Sequence, residues 1–428
     1  MVLSIAIVGA GPSGCYLAQT LGKTIAECQI DVIDQLVAPY GLVRYGVAPD
    51  HQGTKGVIRQ FARLFERENV GFFGNLRLGE DFALDELRAL YDVVILATGL
   101  SQDRSLGLEG EELNGVMRAG DLTRWWNDHP FSKDPPALCG PDAVVMGNGN
   151  VAIDVVRLLA KSHEEFDGSD LGPHHHDGLI GCGIRTIHIV GRSDAGCAKF
   201  DPVMIKELGR LAHVRILMSE PLPANESPDA HKGLEALGAI DGIGDEQSRK
   251  TIRFHFGWTP TGLTGQQGSL THASFRRSSG EGDLHLACNH FITAIGFEDD
   301  GALGRSNLLE NAEDIETGKI EGNLYACGWF RRGPTGTIPE NRADAIAVAR
   351  RIEFDLAAGK LRPGKPGRAE LASRYPQATD YSGWTRIDAA EIAGASASRC
   401  RQKIVDHQQM LSIAKDNSAT QQHAKDRP

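Results

Sequence analysis

Two glycine-rich stretches have the residue types and the spacing that bring a protein backbone close to a nucleotide phosphate. The first, GAGPSG, places Gly9, Gly11 and Gly14 directly after the apolar run SIAIV and before a stretch of helical character. The next β-rich run, IDVID, ends on Asp34, about twenty residues past the glycines. This order predicts a dinucleotide site, because helix N-terminal amides bind pyrophosphate and the acid accepts hydrogen bonds from a ribose.

The second stretch, DAVVMGNGNVAIDVVRLLA, places Gly147 and Gly149 between another apolar run and another helix. The strand that follows, TIHIVGR, ends on Arg192, and an arginine at this position can pair with a 2′-phosphate. The pattern predicts a nicotinamide dinucleotide site that favours NADPH and leaves NADH open.

The first site is predicted to hold FAD, because a third glycine-rich segment, CGWFRRGPTGTI, leads into a long helix late in the chain. A helix N-terminus directed at the pyrimidine end of a flavin stabilises the negative charge that reduction places there. Trp329 in this segment can cover an aromatic ring system, and Pro12 and Ser13 shape the first glycine loop.

The elements that position these loops alternate between strands and helices, which predicts an α/β fold with two Rossmann-like dinucleotide-binding domains. The strands YDVVILATG and HFITAIGF mark the points where the NADP domain is inserted into the FAD domain. The predicted ranges are 1–101 and 299–414 for the FAD domain, 102–298 for the NADP domain and 415–428 for a mobile tail. Residues 220–282 are rich in Gly, Ser and Pro and predict loops around a strand pair.

The composition limits the classes of function. The chain has 428 residues, of which 41% are hydrophobic and 24% are charged, as in a globular protein that buries a core. Its formal net charge of −11 argues against a binder of nucleic acid or of anionic membranes. No apolar run is long enough to cross a bilayer and no basic leader precedes the first strand, so we expect a cytoplasmic protein.

The cysteines and histidines offer no metal chemistry. The eight cysteines include no C-x-x-C pair, so the sequence predicts no metal site, no iron–sulfur site and no redox dithiol. The triplet His174–His176 has the residue type of a metal clip. It stands in a Gly-, Pro- and Asp-rich stretch without other ligands, which predicts a solvated loop.

Several motifs together resemble those of the adrenodoxin-reductase-type ferredoxin–NADP reductases. They are PYGLVRYGVAPDHQGTKGV, GNGNVAIDVVR, IVGR, CGWFRRGPTGTI and, near the C-terminus, GWTRIDAAEIAG. The similarity runs from Ser4 to about Leu411 and is weakest over residues 220–282. It implies a two-domain flavoprotein that oxidises NADPH and passes single electrons to a small iron–sulfur protein.

The resemblance also assigns residues to the two sites. Around FAD it implies Ala10, Asp34, Leu42, Leu78, Trp329, Gly336, Thr337 and Ile338, with the backbone from Gly41 to Gly46 against the isoalloxazine. Around the nicotinamide nucleotide it implies Asn148, Gly149, Asn150, Val151 and Glu207.

Three further positions carry expectations about the reaction. His51 and Asp154 match a polar pair beside the flavin in this family, and we expect them to position the rings. The family usually has two consecutive arginines after VG, whereas Ser193 follows Arg192 here. We therefore expect a preference for NADPH that is weaker than in relatives with both arginines.

Without a cysteine pair, the flavin itself is the exit for electrons, since a flavin accepts a hydride and releases electrons one at a time. The expected acceptor is a ferredoxin, for example one that serves a monooxygenase, or a flavodoxin. Arg331 and Arg332, beside the flavin segment, are candidates for docking an acidic ferredoxin. Direct reduction of a small organic acceptor or of dioxygen, and a non-catalytic FAD-binding redox sensor, are the alternatives.

Overall fold

The computed structural model describes residues 2–134, 137–223 and 228–416. The predicted tail lies outside the described residues from position 417 onward. The chain forms two compact units: unit 1 comprises residues 1–47, 51–102 and those from 297 onward, and unit 2 comprises residues 48–50 and 103–296. The sequence did not indicate that residues 48–50 belong to unit 2.

The strands, in chain order, have the following bounds. They are β1 (Leu3–Val8), β2 (Cys28–Ile33), β3 (Val70–Phe73), β4 (Val93–Leu96), β5 (Gln102–Asp103), β6 (Val116–Arg118), β7 (Asp142–Met146), β8 (Thr186–Gly191), β9 (Val214–Met218), β10 (Lys250–Phe256), β11 (Trp258–Gln266), β12 (Ser269–Arg277), β13 (Asp283–Ala287), β14 (His290–Thr293), β15 (Phe297–Glu298), β16 (Lys319–Glu321) and β17 (Leu324–Ala326).

The α-helices, in chain order, have the following bounds. They are α1 (Pro12–Thr24), α2 (Leu42–Tyr45), α3 (Gln52–Lys55), α4 (Ile58–Phe65), α5 (Leu84–Leu90), α6 (Ala119–Trp126), α7 (Asn150–Ala160), α8 (Pro173–Ile180), α9 (Pro202–Leu208), α10 (Pro228–Ile240), α11 (Arg305–Glu310), α12 (Trp329–Arg332), α13 (Ile338–Ala357), α14 (Arg368–Arg374), α15 (Tyr381–Ala393) and α16 (His407–Lys415). None of the helices in the described part of the chain is both long enough and apolar enough to cross a membrane.

Unit 1 is built on a sheet in the strand order β16-β17-β4-β1-β2-β3, with β16 antiparallel to β17 and the other neighbours parallel. Ile5–Val8 of β1 and all of β4 are continuous apolar runs, as expected of parallel strands whose two faces are both covered by helices. Ile5 and Ile7 of β1 pack with α1, α13 and α15, whereas Ala6 and Val8 pack with α5 on the other face. The register pairs Val8 with both Ile33 and Leu96, so three strands end together beside the first glycine loop.

Unit 2 is built on a parallel sheet in the strand order β6-β14-β7-β8-β10-β9. Val145 and Ile189 pack with α7 and α9 on one face. The other face is covered by the antiparallel sheet β11-β12-β13, through contacts of Val144 and Val190 with residues such as Phe275. Both units therefore confirm the predicted α/β class with two Rossmann-like domains.

Two sequence predictions about unit 2 were wrong. Residues 220–282 contain α10 and the strands β10, β11 and β12 rather than loops around a strand pair. In the described part of α10, Leu234, Leu237 and Ile240 are buried, and this apolar face stabilises a helix that the Gly and Pro content had hidden.

The histidine triplet is not a solvated loop either. It lies in α8, which begins at Pro173, and both His175 and His176 are buried. The His175 Nε2 atom lies 2.7 Å from Asp128 Oδ1, and its ring packs edge-on against Trp125. Because Asp128, the buried partner of His175, is distant in the sequence, the residues around the triplet did not indicate its burial.

Candidate functional site

The first glycine loop joins β1 to α1 in unit 1. Gly9 has a φ of +112°, and a Cβ atom there would lie 2.3 Å from the carbonyl oxygen of Ala97, so only glycine fits. A Cβ atom on Gly11 would meet no heavy atom within 4 Å. Gly11 is the N-cap of α1 and no side chain caps the helix, so its first amides remain available to a phosphate.

Asp34 follows β2 and holds this loop in place. Its Oδ2 atom accepts a 2.7 Å hydrogen bond from the amide of Ala10, and its Oδ1 atom accepts one of 2.9 Å from the amide of Leu36. Burial raises the pKa of Asp34 to about 6, although both hydrogen bonds favour the charged form. The structure thus assigns Asp34 a role in shaping the loop, and its contact with a ribose stays a prediction.

A second helix N-terminus lies next to the first. The side chain of Ser13 in α1 donates a 3.2 Å hydrogen bond to Asn341 Oδ1 in the first turn of α13. Thr337 caps α13 in a capping box, and Gly336 and Thr337 are exposed. The N-termini of α1 and α13 therefore place two positive dipole ends close together, as an anionic cofactor requires.

Apolar and aromatic groups lie beside these helix ends. The ring of Trp329 stacks on Phe297 with 5.8 Å between centroids, and its buried Nε1 atom has no hydrogen-bond partner among the described residues. Gly41 has a φ of +47°, a Cβ atom there would lie 3.0 Å from Gly11 Cα, and the neighbouring Leu42 is 42% exposed. An unpaired donor, an exposed leucine and an open glycine cradle fit a flavin dinucleotide in unit 1.

Leu78, the remaining residue assigned to FAD, is buried in the core of unit 1 at 8% exposure. Its side chain is part of this core, and the resemblance alone implies a contact with the cofactor. That contact stays a prediction.

The second glycine loop joins β7 to α7 in unit 2. Gly147 has a φ of +135°, and a Cβ atom there would lie 2.3 Å from the carbonyl oxygen of Ala294. Gly149 is the N-cap of α7, and a Cβ atom there would meet no heavy atom within 4 Å. Asn148 Nδ2 donates a 2.9 Å hydrogen bond to Ser193 Oγ, and Asn150 Oδ1 accepts one of 2.7 Å from the amide of Asp201.

Comparison with known proteins agrees with this pair of loops. The profile of the pyridine nucleotide-disulphide oxidoreductase family matches residues 3–212. A cindoxin reductase from Citrobacter braakii is 42% identical over 97% of this chain and 92% of its own length. A mitochondrial NADPH:adrenodoxin oxidoreductase from Arabidopsis thaliana is 32% identical over 96% of this chain and 95% of its own length. The chain belongs to the adrenodoxin-reductase-type ferredoxin–NADP reductase family.

A solved structure from Mycobacterium tuberculosis has the same fold. The structure of Mycobacterium tuberculosis FprA in complex with NADPH superposes with a TM-score of 0.89 at 28% identity. It covers 97% of this chain and 100% of its own. The similarity therefore includes both units rather than one nucleotide-binding half.

In this reductase, the sequence did not indicate Arg157, which lies next to two of the predicted site residues, Asp154 and Glu207. Arg157, buried in α7, donates a 2.8 Å hydrogen bond to Asp154 Oδ1 and forms a two-pronged ion pair with Asp50. Glu207 Oε2 lies 3.9 Å from its Nε atom. Burial alone would raise the pKa of Asp50, but Arg157 and Lys161 hold it at about 2. The i,i+3 spacing of Asp154 and Arg157 was the available signal.

His51 and Asp154, the predicted polar pair, belong to different units. His51 is the half-buried N-cap of α3 in unit 1, whereas Asp154 is 16% exposed on α7 in unit 2. Their predicted roles beside the flavin stay predictions. Asp50, the residue before His51, is nevertheless fixed by Arg157 and Lys161, which restrains the backbone that leads into His51.

The candidate docking arginines are not free surface charges in this reductase. Arg331 is 11% exposed and Arg332 is 21% exposed, and both form ion pairs with Asp344, which is 2% exposed. Arg331 also donates to the carbonyl oxygens of Ile315 and Glu316. Their role in docking stays a prediction. The acid that pairs with them, Asp344, lies in α13 about two turns past Thr337, so the glycine segment itself does not indicate this pairing.

Proposed function

We propose that this chain is an FAD-dependent ferredoxin–NADP(+) reductase, in which NADPH reduces FAD and the reduced flavin passes single electrons to a ferredoxin-type iron–sulfur protein. We assign FAD to unit 1 and NADPH to unit 2. The observation that supports this most directly is the presence of an open glycine loop at a helix N-terminus in each unit. Relatives named as NADPH:adrenodoxin oxidoreductases match the chain over nearly its full length.

FAD, when bound, supplies the chemistry of accepting a hydride and releasing electrons one at a time. The residues of the chain bind and orient it. The amides at the start of α1 receive the pyrophosphate, and the N-terminus of α13, at Thr337 and Ile338, stabilises negative charge on the reduced ring. The unpaired Nε1 atom of Trp329 is a donor for a polar edge of the cofactor.

In unit 2, the start of α7 binds the pyrophosphate of NADPH through the amides near Asn150 and Val151. Asp154, one turn into the same helix, is held by Arg157 and orients the nicotinamide end. We assign His51 and Asp154 positioning roles rather than proton transfer, because hydride transfer to a flavin needs no proton from the protein in that step.

The partner is proposed to be a small, acidic ferredoxin, and a flavodoxin is the second acceptor of the same kind. Arg331 and Arg332 stay candidate docking residues, with one of their two positive charges balanced by Asp344. Arg332 is the better test because it is the more exposed. Arg332→Gln should lower turnover with ferredoxin at low salt, when rates are divided by bound FAD, and leave ferricyanide reduction unchanged.

The deciding experiment is anaerobic mixing of the purified yellow protein with NADPH in a stopped-flow instrument, followed by assays with and without added ferredoxin. We expect loss of flavin absorbance with NADPH and iron–sulfur reduction that requires the ferredoxin. Bound FAD that NADPH does not reduce would indicate a non-catalytic redox sensor. Reduction of small acceptors or dioxygen as fast as of any ferredoxin would contradict the assigned partner.

A further inference from the structure

Two exposed cations lie beside the nucleotide loop of unit 2. Neither the guanidinium of Arg192 nor the ammonium of Lys199 makes a hydrogen bond or an ion pair with any residue that the structure describes. Arg192 directly follows β8, where a 2′-phosphate is recognised in dinucleotide-binding folds. The next residue, Ser193, carries no charge, so recognition of a dianionic group by Arg192 alone leaves charge unbalanced.

The chain after Ser193 folds back onto the glycine loop and brings Lys199 there. Ser193 Oγ accepts from Asn148 Nδ2 at 2.9 Å and donates to the carbonyl oxygen of Cys197 at 3.4 Å. The amide of Lys199 donates a 3.2 Å hydrogen bond to the carbonyl oxygen of Asn148, and Lys199 forms a β-bridge with Gly149. Its backbone therefore lies about one strand spacing, or about 4.8 Å, from the N-cap of α7.

The nearby carboxylates have other contacts. Asp201 Oδ1 caps α9 by accepting a 2.8 Å hydrogen bond from the amide of Val203. Asp194 Oδ1 lies beside Gly257, 3.0 Å from where a Cβ atom would be. Neither acid forms an ion pair with Lys199 among the described residues, so its ammonium group stays available to a ligand.

We propose that Lys199 supplies the second positive charge for the 2′-phosphate of NADPH and so replaces the arginine that Ser193 lacks. This inference rests on the proposed function and makes Lys199 a specificity-determining residue for NADPH over NADH. Arg185, another exposed cation next to β8, cannot serve, because it precedes this strand whereas Arg192 follows it. Seven residue-to-residue steps, at about 3.3 Å each, separate it from Arg192 by about 23 Å.

The test compares two probes by isothermal titration calorimetry of the FAD-loaded protein: 2′,5′-ADP, which carries the 2′-phosphate, and ADP, which does not. Lys199→Ala should raise the Kd for 2′,5′-ADP about tenfold, which corresponds to about 1.4 kcal/mol. The Kd for ADP should change by less than about twofold. Arg185→Ala is the matched control, an exposed cation on the same unit, and should change neither value.

Two further variants separate charge from structure. Lys199→Arg should bind 2′,5′-ADP nearly as well as the wild type, and Ser193→Arg added to Lys199→Ala should restore the lost affinity. The ratio of kcat/KM for NADPH to that for NADH should fall in Lys199→Ala by the same factor as the affinity.

Equal losses for both probes would place Lys199 on the pyrophosphate and overturn the proposal, and so would unchanged affinity for 2′,5′-ADP. Neither result would affect the proposed function. A wild-type protein that binds neither probe and whose flavin NADPH does not reduce would instead overturn the function itself.

Discussion

Replacing Glu391 by glutamine should destabilise unit 1 and loosen its hold on FAD. Glu391 is fully buried on α15, and its carboxylate receives two hydrogen bonds, of 2.9 and 2.5 Å, from the guanidinium of Arg44 on α2. Arg44 also lies over the ring of Trp384, and the amide of Ile404 donates to Glu391 at 3.0 Å. The C-terminal helices thus fix the short helix that follows Gly41.

The magnitude follows from the burial of both partners. Removing one charge of a buried pair leaves the other without compensation and costs about 3–5 kcal/mol. At ~2–4 °C per kcal/mol for a domain of this size class, the melting temperature should fall by roughly 10 °C. Because Gly41 lies against Gly11 in the first glycine loop, FAD should also dissociate faster from the variant.

The assay is thermal unfolding followed by flavin fluorescence, together with the rate of FAD release at a fixed temperature. Glu370→Gln is the matched control, since Glu370 forms an ion pair with Arg374 on the surface, whereas Glu391 pairs with Arg44 in the interior. It should change the melting temperature far less. A Glu391→Gln protein as stable and as slow to release FAD as Glu370→Gln would refute the role of the buried pair.

Four other changes have expected outcomes. Burial raises the pKa of Asp34 to about 6, so ionisation should destabilise the flavin-free fold as pH rises from about 4 to 6, by roughly 3 kcal/mol, and Asp34→Asn should remove this dependence in urea unfolding. Asp50, held at a pKa of about 2, has the opposite sign: its stabilisation is present above pH 4 and is lost as pH falls toward 2, so Asp50→Asn should flatten acid unfolding. Arg331→Glu should lower stability by about 3–5 kcal/mol because Asp344 is buried, and a thermal melt like the wild type's would contradict that pairing. His51→Ala with bound FAD should slow flavin reduction by about tenfold in stopped flow, and complete loss would mean an obligatory role.

The local signals in the sequence located the two nucleotide loops correctly. Strand, glycine turn and helix are contiguous in the chain, so the positions of Gly9 and Gly147 could be predicted without knowing the tertiary fold. The structure adds the reason: at each position a side chain would clash with the carbonyl oxygen of the residue that follows a neighbouring strand, Ala97 after β4 or Ala294 after β14.

Buried polar partners could not be predicted in the same way. Arg157 pairs with Asp50, more than a hundred residues away, and nothing in either local sequence marks the contact. Two consecutive arginines are typical of a surface patch, yet Arg331 and Arg332 are mostly buried and form ion pairs with Asp344. Whether a charged side chain is available to a partner depends on contacts with residues distant in the sequence. The spacing of residues along the chain does not predict these contacts.

Two buried thiols lie next to the glycine turns of unit 1. Cys15 Sγ donates to the carbonyl oxygen of Ala10, and Cys327 Sγ donates to Asp344 Oδ2, each at 3.3 Å. Burial raises the pKa of both thiols well above the ordinary value, so both stay protonated at neutral pH. A protonated thiol is a poor nucleophile and a suitable donor. These cysteines therefore support the glycine turns as buried hydrogen-bond donors, and neither has the thiolate character that a redox thiol requires.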